Sequence, residues 1–158
     1  MAAQLIYTHD PDSTREILQA LPDWFGDPEA LENYVVAAAD ETFSSLLALE
    51  NGTPVGVALI RRHFPESAEL HLIAVHPESR GRGIGRQLVD LAASDLAADG
   101  CALFSVHTVG PSFDDVPYRQ TRDFYKATGF LPLEEHSNLD WPGPTLILVR
   151  NLRLPTHR

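Results

Sequence analysis

The sequence predicts a single α/β domain with a mixed, mostly antiparallel sheet, one parallel strand pair, and helices on both faces. Apolar runs and helical repeats follow one another as strand, two helices, three strands, helix, strand, helix and two strands. The strand–helix–strand passage in the second half implies parallel strands joined by a right-handed crossover. With 158 residues, 44% of them apolar and 22% charged, the chain is long enough for one globular core. We therefore assign residues 1–152 to one domain and 153–158 to a C-terminal tail.

The first predicted elements are a short strand and two helices. Residues 5–7 form the apolar run of the strand. Ser13-x-x-Glu16 has the pattern of a capping box and predicts the start of a short helix, which Pro22 ends. Asp27 is the predicted N-cap of the second helix, with Pro28 at its first position.

The centre of the sequence predicts a hairpin followed by a buried strand. Residues 43–50 and 55–63 flank Asn51-Gly52, a pair that suits a tight primed turn. Pro65-Glu66-Ser67 then turns the chain into residues 69–76 (ELHLIAVH), which have the composition of a buried strand.

A turn rich in glycine and arginine connects this strand to a helix. Apolar residues recur at helical spacing from Ile84 to Leu96, and Gly100 supplies the C-terminal stop. Amides in the first turn of a helix have no intrahelical acceptor, the helix dipole favours anions there, and glycines let an anion approach the backbone. The turn is therefore predicted to hold a pyrophosphate, the alternative being a surface turn without a ligand.

The last third of the sequence predicts a strand, a helix and two closing strands. The strand covers residues 101–108, and a loop over 109–117 leads to a helix at 119–128 that Gly129 ends. Residues 131–135 and 145–152 are the closing strands.

Charge and composition exclude several classes of function. The net charge is 12 − 22 = −10, which argues against a nucleic-acid partner and leaves the arginines of the turn as a basic island. No run of about 18 apolar residues predicts a membrane span. Residues 1–5 lack a signal-peptide pattern, so we expect a cytoplasmic protein. The seven histidines lack metal-ligand spacing, so we expect no metal. Cys101, the only cysteine, opens an apolar strand and is more typical of a core position than of a nucleophile.

Spacing within the turn distinguishes between phosphate-binding motifs. A Walker loop requires a Lys-Ser or Lys-Thr pair after a glycine, and no such pair is present. A dinucleotide fingerprint that starts at Gly81 requires a third glycine at position 86, where this sequence has Arg86. Arg80, Gly83 and Gly85 instead fit Q/R-x-x-G-x-G/A, and residues 124–130 (FYKATGF) are similar to Y-x-x-x-G-F/Y. These two motifs, in this order, resemble those of the N-acetyltransferase (GNAT) family, and the order of elements resembles that family over nearly the whole chain.

The resemblance implies acetyl-CoA as the co-substrate. Family members bind it where the central strand splays from its parallel neighbour, with pantetheine along the strand and pyrophosphate in the turn. The backbone of Ile73, Ala74 and Val75 would contact pantetheine, and the Val75 N–H is our candidate donor to the thioester carbonyl. The pyrophosphate would be held by Arg80, Gly81, Arg82, Gly83, Ile84, Gly85 and Arg86.

The resemblance also implies how protons are handled. An alkylammonium has a pKa of about 10.4, so a base or a proton wire must remove its proton before the nitrogen can attack the thioester. Glu69 matches the family's strand glutamate that does so, commonly through water, and His71, on the same face of a regular strand, is the alternative. Tyr125 matches the family tyrosine that protonates the CoA sulfur. Trp24 and Phe25 could line the acceptor pocket or fill the gap between two helices. We expect one of the two aromatic residues to fill the gap and leave the role of the second residue open.

The implied activity is acetyl transfer from acetyl-CoA to a primary amine of a small molecule or peptide, by direct attack in a ternary complex. An acyl-CoA-binding sensor with degenerate catalysis is the alternative. One departure concerns residues 114–119 (DDVPYR), where many family members have an asparagine that touches the cofactor. We expect neither a nucleic-acid nor a membrane partner and leave a homodimer open.

Overall fold

The computed structural model describes residues 3–153, and its strands form one seven-stranded mixed sheet. Most of the predicted tail, residues 154–158, lies outside the described residues. The order across the sheet is β1-β2-β3-β4-β5-β7-β6, with one parallel pair. In chain order the strands are β1 (Gln4–Tyr7), β2 (Phe43–Glu50), β3 (Thr53–Phe64), β4 (Ser67–Val75), β5 (Leu103–Val109), β6 (Leu131–Ser137) and β7 (Pro144–Asn151).

Within residues 3–153, four α-helices connect these strands in the predicted order. They are α1 (Pro11–Gln19), α2 (Pro28–Ala39), α3 (Ile84–Ala98) and α4 (Val116–Ala127), and a single 3-10 turn, Pro77–Ser79, precedes α3. The predicted α/β class is confirmed. No helix in the described part of the chain is long and apolar enough to cross a membrane.

The chain folds into two compact units whose boundaries cut through β3, β4 and α3. The first unit comprises the described residues up to Arg62 together with Leu70–Ala92. The second comprises His63–Glu69 and the described residues from Ala93 onwards.

The β2–β3 hairpin of the first unit has the predicted turn. Asn51 and Gly52 have φ values of 52° and 79°, the left-handed conformations that a primed two-residue turn requires. The strands pair antiparallel from Glu50 opposite Thr53 to Phe43 opposite Arg61.

Helices cover both faces of this hairpin, as predicted. Leu47 lies opposite Val57, and both belong to a buried cluster with residues of α1 and α2, among them Ile17, Leu18, Leu31 and Val35. The next pair, Ala48 and Gly56, points to the other face, because side chains alternate along a strand. A Cβ on Gly56 would lie 3.2 Å from Leu88 Cδ1 and 3.3 Å from Ile84 Cγ2. The glycine therefore lets the first turns of α3 approach β3 closely.

The second unit contains the antiparallel strands β5, β7 and β6. Leu103 lies opposite Asn151 and Val109 opposite Thr145, while a bulge near Pro132 shifts the register of β6. Phe104 and Phe130 are fully buried with their ring centroids 5.5 Å apart.

Two predicted helix starts are wrong by a few residues. Asp10, not Ser13, is the N-cap of α1: its carboxylate accepts hydrogen bonds from Ser13 N at 3.0 Å and Ser13 Oγ at 2.7 Å. The helix therefore begins at Pro11, since proline is favoured at the first helical position. Likewise α4 begins at Val116, because Pro117 lies in the first turn, where a missing N–H breaks no helical bond.

Candidate active site

Strand β4 alternates between buried and half-buried side chains along its whole length. Ala68, Leu70, Leu72 and Ala74 are buried, and the residues between them are partly exposed. Glu69 and His71 therefore occupy equivalent, partly exposed positions of the strand. Ile73 and Val75 are half-buried as well, and Ala74 is 5% exposed.

Two glycines give the turn after β4 its path. Gly81 has a φ of 79° and Gly83 a φ of 77°, in the left-handed region that residues with a Cβ resist. A Cβ built on either glycine meets no other atom within 4 Å. The space beside both glycines is therefore open, as close approach of a phosphate to the backbone requires.

The turn leads directly into the N-terminus of α3. The amide of Gln87 donates to the carbonyl of Gly83 at 3.0 Å, which starts the helical hydrogen-bond ladder. Amides that precede Gln87 in this turn have no carbonyl of the helix four residues back, and the helix dipole gives this end a partial positive charge. Gly85 and Arg86 belong to the same turn, whose Ile84 side chain is buried.

Glu50, at the end of β2, fastens the turn to the hairpin. Its carboxylate accepts hydrogen bonds from Ser79 Oγ at 2.9 Å and from Arg82 Nη1, which lies 2.8 Å from each oxygen. Arg82 Nη2 also donates to the carbonyl of Glu78 at 3.3 Å. Hydrogen bonds from Arg82 first, and then from Ser79, lower the pKa of the Glu50 carboxyl. The Arg82 side chain, although 55% exposed, thus ties the turn to the end of β2.

Arg80 links the turn to the segment between α1 and α2. Its guanidinium carbon lies 4.5 Å from the ring centroid of Trp24, within the range of a cation–π interaction. Trp24 and Phe25 both pack against the buried cluster of this unit. The two aromatic residues therefore support the core, and Trp24 also supports Arg80.

His71 lies among aromatic rings of the first unit. Its ring centroid is 5.3 Å from that of Tyr34 on α2 and 5.0 Å from that of Phe43 on β2. Phe25 extends the group, with its ring edge-on to Tyr34 at 5.7 Å. His71 is thus held on two sides by ring packing.

Glu69, in the second unit, forms a hydrogen bond with a histidine. His63 Nε2 lies 2.7 Å from Glu69 Oε1, and the side chains are 40% and 17% exposed, respectively. The His63 side chain comes from the last residues of β3.

Tyr125 is a buried residue of α4 with a well-defined ring position. Its ring contacts Phe124 and Phe130, with centroids 5.6 Å and 5.8 Å away. The Tyr125 carbonyl accepts hydrogen bonds from Phe130 N and Thr128 Oγ1, both at 3.0 Å, which close the C-terminus of the helix around the Gly129 turn. The motif at residues 124–130 therefore includes the residues that contact Tyr125.

The two units divide the predicted site residues between them. The first unit contains the turn, residues 73–75, His71, and Trp24 with Phe25, whereas Glu69 and Tyr125 belong to the second. Neither Glu50 as the partner of Arg82 nor His63 as the partner of Glu69 was predicted from the sequence. Of these two partners, only His63 could have been found from the sequence, because the short turn at 65–66 brings the end of β3 beside the start of β4. No group of three or more His, Cys, Asp or Glu side chains within residues 3–153 could hold a metal ion.

Comparison with known proteins identifies the fold. A GNAT-family protein from Desulfovibrio desulfuricans is similar with a TM-score of 0.83 at 20% identity, over 96% of this chain and 99% of that one. The ribosomal-protein-S18-alanine N-acetyltransferase of Escherichia coli gives 0.75 at 16% identity, over 98% and 96%. A GNAT-family acetyltransferase from Elizabethkingia anophelis, solved with acetyl-CoA bound, gives 0.72 at 17% identity, over 95% and 98%.

The sequence itself matches the family model described as Acetyltransferase (GNAT) family over residues 7–130. This range includes β4, the glycine-rich turn and the motif that ends at Phe130. The chain therefore belongs to the acetyltransferase (GNAT) family.

Proposed function

We propose that the chain is an acetyl-CoA-dependent N-acetyltransferase that transfers acetyl to a primary amine by direct attack in a ternary complex. The observation that carries the proposal is the turn after β4. Gly81 and Gly83 keep open space beside the backbone at the N-terminus of α3, which suits the pyrophosphate of CoA. The CoA-bound relative from Elizabethkingia anophelis, which has the same fold, supports this ligand.

The arginines of the turn have different tasks in this proposal. Arg82 is bonded to Glu50, so its side chain shapes the turn while its backbone faces the anion. Arg80, stacked on Trp24, and Arg86, in the first turn of α3, contribute positive charge. The backbone of Ile73, Ala74 and Val75 binds pantetheine, and the Val75 N–H donates to the thioester carbonyl as negative charge develops there.

The proposed reaction requires two proton losses from the nitrogen and one proton gain by the sulfur. Glu69 takes a proton from the ammonium form of the acceptor, directly or through water. The neutral nitrogen then attacks the thioester carbon, so a C–N bond forms as the C–S bond breaks. The nitrogen then loses its second proton, Tyr125 gives its hydroxyl proton to the departing thiolate, and the proton released from the nitrogen restores the Tyr125 hydroxyl through water. The products are an N-acetylated amine and free CoA, and the proton held by Glu69 passes to solvent.

Glu69 and His71 compete for the role of base, and we favour Glu69. The partly exposed His71 ring lies 5.3 Å from the ring of Tyr34 and 5.0 Å from that of Phe43, so we assign it a packing role. Glu69→Gln should therefore lower kcat/KM by about 10²–10⁴-fold with little change in CoA affinity. His71→Gln should affect catalysis less; near-normal kcat/KM in Glu69→Gln beside a strongly impaired His71→Gln would reverse the assignment.

The activity itself is tested with a panel of amines and acetyl-CoA, in which release of free thiol is followed. Calorimetry measures CoA binding on the same protein, and about 100 times Kd of CoA should stabilise the fold by about 2.7 kcal/mol. Thiol release with at least one amine, and none without protein, supports the enzyme. Tight CoA binding without turnover on any amine favours the alternative, an acyl-CoA-binding sensor.

A further inference from the structure

We propose that His63 is a positioning residue that orients the carboxylate of Glu69 for proton removal. The inference rests on the proposed function, in which Glu69 accepts the proton of the amine. It adds a residue that lies in neither of the two sequence motifs, since His63 precedes β4 and the glycine-rich turn.

The local fold places the two side chains together. β3 ends at Phe64 and β4 begins at Ser67, so only Pro65 and Glu66 separate the strands. β3 and β4 are neighbours in the sheet, and so short a connection keeps the last residues of β3 beside the first residues of β4. At this end of the two strands, His63 Nε2 lies 2.7 Å from Glu69 Oε1.

The carboxylate of this pair is much less exposed than those of similar pairs in the second unit. The Glu69 side chain is 17% exposed, whereas Glu134 beside His136 is 53% exposed and Asp140 beside His107 is 51% exposed. A hydrogen bond to a carboxylate counts for more when water competes less for the same oxygen. The His63 bond is therefore the one expected to hold its carboxylate in a fixed orientation.

Orientation matters because a base must meet the proton along a narrow range of directions. A glutamate has three rotatable side-chain bonds, and an unrestrained carboxylate spends part of its time turned away from the amine. An Nε2–H that donates to Oε1 removes part of this freedom. His63 itself need not touch either substrate for this effect.

The test compares His63→Ala with His63→Gln, which retains a side-chain N–H donor. His63→Ala should lower kcat by about 10- to 100-fold, the loss expected for a hydrogen bond to a charged group. CoA affinity measured by calorimetry should stay within about twofold, and His63→Gln should recover part of the loss. His136→Ala is the matched control, because it removes a histidine from an exposed carboxylate pair, and its kcat should equal that of wild type.

A double-mutant cycle with Glu69→Gln separates positioning from a structural role. If His63 acts through Glu69, adding His63→Ala to Glu69→Gln should change kcat little further. The carboxyl carbon-13 resonance of Glu69, assigned from Glu69→Gln, should shift in His63→Ala at neutral pH. An unchanged resonance, or an equal loss of kcat in both backgrounds, would overturn the inference.

The outcomes also separate this inference from the proposed function. Impaired Glu69→Gln beside fully active His63→Ala rejects only the role of His63. A fully active Glu69→Gln variant rejects Glu69 as the base. A wild-type protein that acetylates no amine rejects the proposed function. Either result also rejects the role of His63.

Discussion

At the scale of single residues, Tyr125 is buried, whereas Glu69 and His71 are partly exposed. Its ring lies against Phe124 and Phe130, and the residue is 6% exposed. Tyr125→Phe keeps the ring and removes only the hydroxyl. We expect kcat to fall by about 10²–10⁴-fold, as for the loss of a general acid, with CoA affinity unchanged.

Tyr118→Phe is the control for this prediction. Tyr118 lies on the same helix, and burial first and the charge of Asp115 second raise the pKa of its hydroxyl. The substitution removes a hydroxyl from α4 outside the sequence motif. Because Tyr118 lies within residues 114–119, where many family members contact the cofactor, the comparison uses kcat at saturating acetyl-CoA, which should be nearly normal. Equal losses in both variants, or none in Tyr125→Phe when chemistry limits the rate, would contradict the role of Tyr125.

The Glu50 carboxylate should make the turn sensitive to acid. Its pKa is below the ordinary value because Arg82 and Ser79 donate to it in the folded state. A group with a lowered folded pKa stabilises the fold above its unfolded pKa, and the contribution is lost as the pH falls through the folded pKa. The Tm of wild type should therefore exceed that of Glu50→Gln near neutral pH, and the difference should shrink below about pH 4.5.

Thermal melts from pH 7 to pH 3 on the two proteins measure this difference directly. Glu134→Gln is a suitable reference, because that carboxylate is 53% exposed and far from the turn in sequence. If the Tm difference between wild type and Glu50→Gln grows as the pH falls, Arg82 and Ser79 do not stabilise the ionised carboxylate of Glu50.

Single-residue roles could be predicted from the sequence only where the partners are close in sequence. Period-two alternation along β4 correctly predicted that Glu69 and His71 share the same kind of position. Arg82 and Glu50 lie 32 positions apart, and their bond depends on the turn and the hairpin being adjacent in the fold. No local pattern carries that information.

At the scale of structural elements, the conformation of the turn before α3 can be tested against an equivalent glycine. Gly83 and Gly52 have φ values of 77° and 79°, and a Cβ on either meets nothing within 4 Å. Alanine at either position should destabilise the fold by about 1–2 kcal/mol through backbone strain alone. Only Gly83→Ala should also weaken CoA binding, by about tenfold or more, because it alters the proposed pyrophosphate site.

Calorimetry with CoA and urea unfolding of both variants give the two quantities. Gly52 lies in the β2–β3 turn, so its variant reports strain without the site. If the two variants bind CoA equally well, the pyrophosphate does not lie beside Gly83.

Elements were predicted well where one residue type determines the local conformation. Asn51-Gly52 determined the hairpin, and Gly100 and Gly129, with φ values of 89° and 97°, follow the ends of α3 and α4. Helix starts were harder, because several polar residues compete for the N-cap. Asp10 prevails over Ser13 since it allows Pro11 to occupy the first helical position.

At the scale of the whole molecule, charge is the property that bears most on the choice of acceptor. The chain carries a net charge of −10, although Arg80, Arg82 and Arg86 lie within seven residues of one another. An anionic co-substrate suits this arginine-rich turn, and the rest of the chain has more acidic than basic side chains, 22 Asp and Glu in all against 12 Lys and Arg in the whole chain. An acceptor that approaches from solvent therefore meets a field that attracts cations.

We expect amines that carry a second positive charge to be acetylated with a higher kcat/KM than amines of the same size that carry a carboxylate. Long-range attraction acts mainly on association, so the advantage should appear in kcat/KM and diminish as salt is raised from about 50 mM to about 1 M, where the Debye length falls to about 3 Å. A neutral amine of equal length serves as the reference, since its kcat/KM should vary little with salt. Preference for carboxylated amines at low salt would contradict the prediction and would indicate that the acceptor contacts cationic side chains.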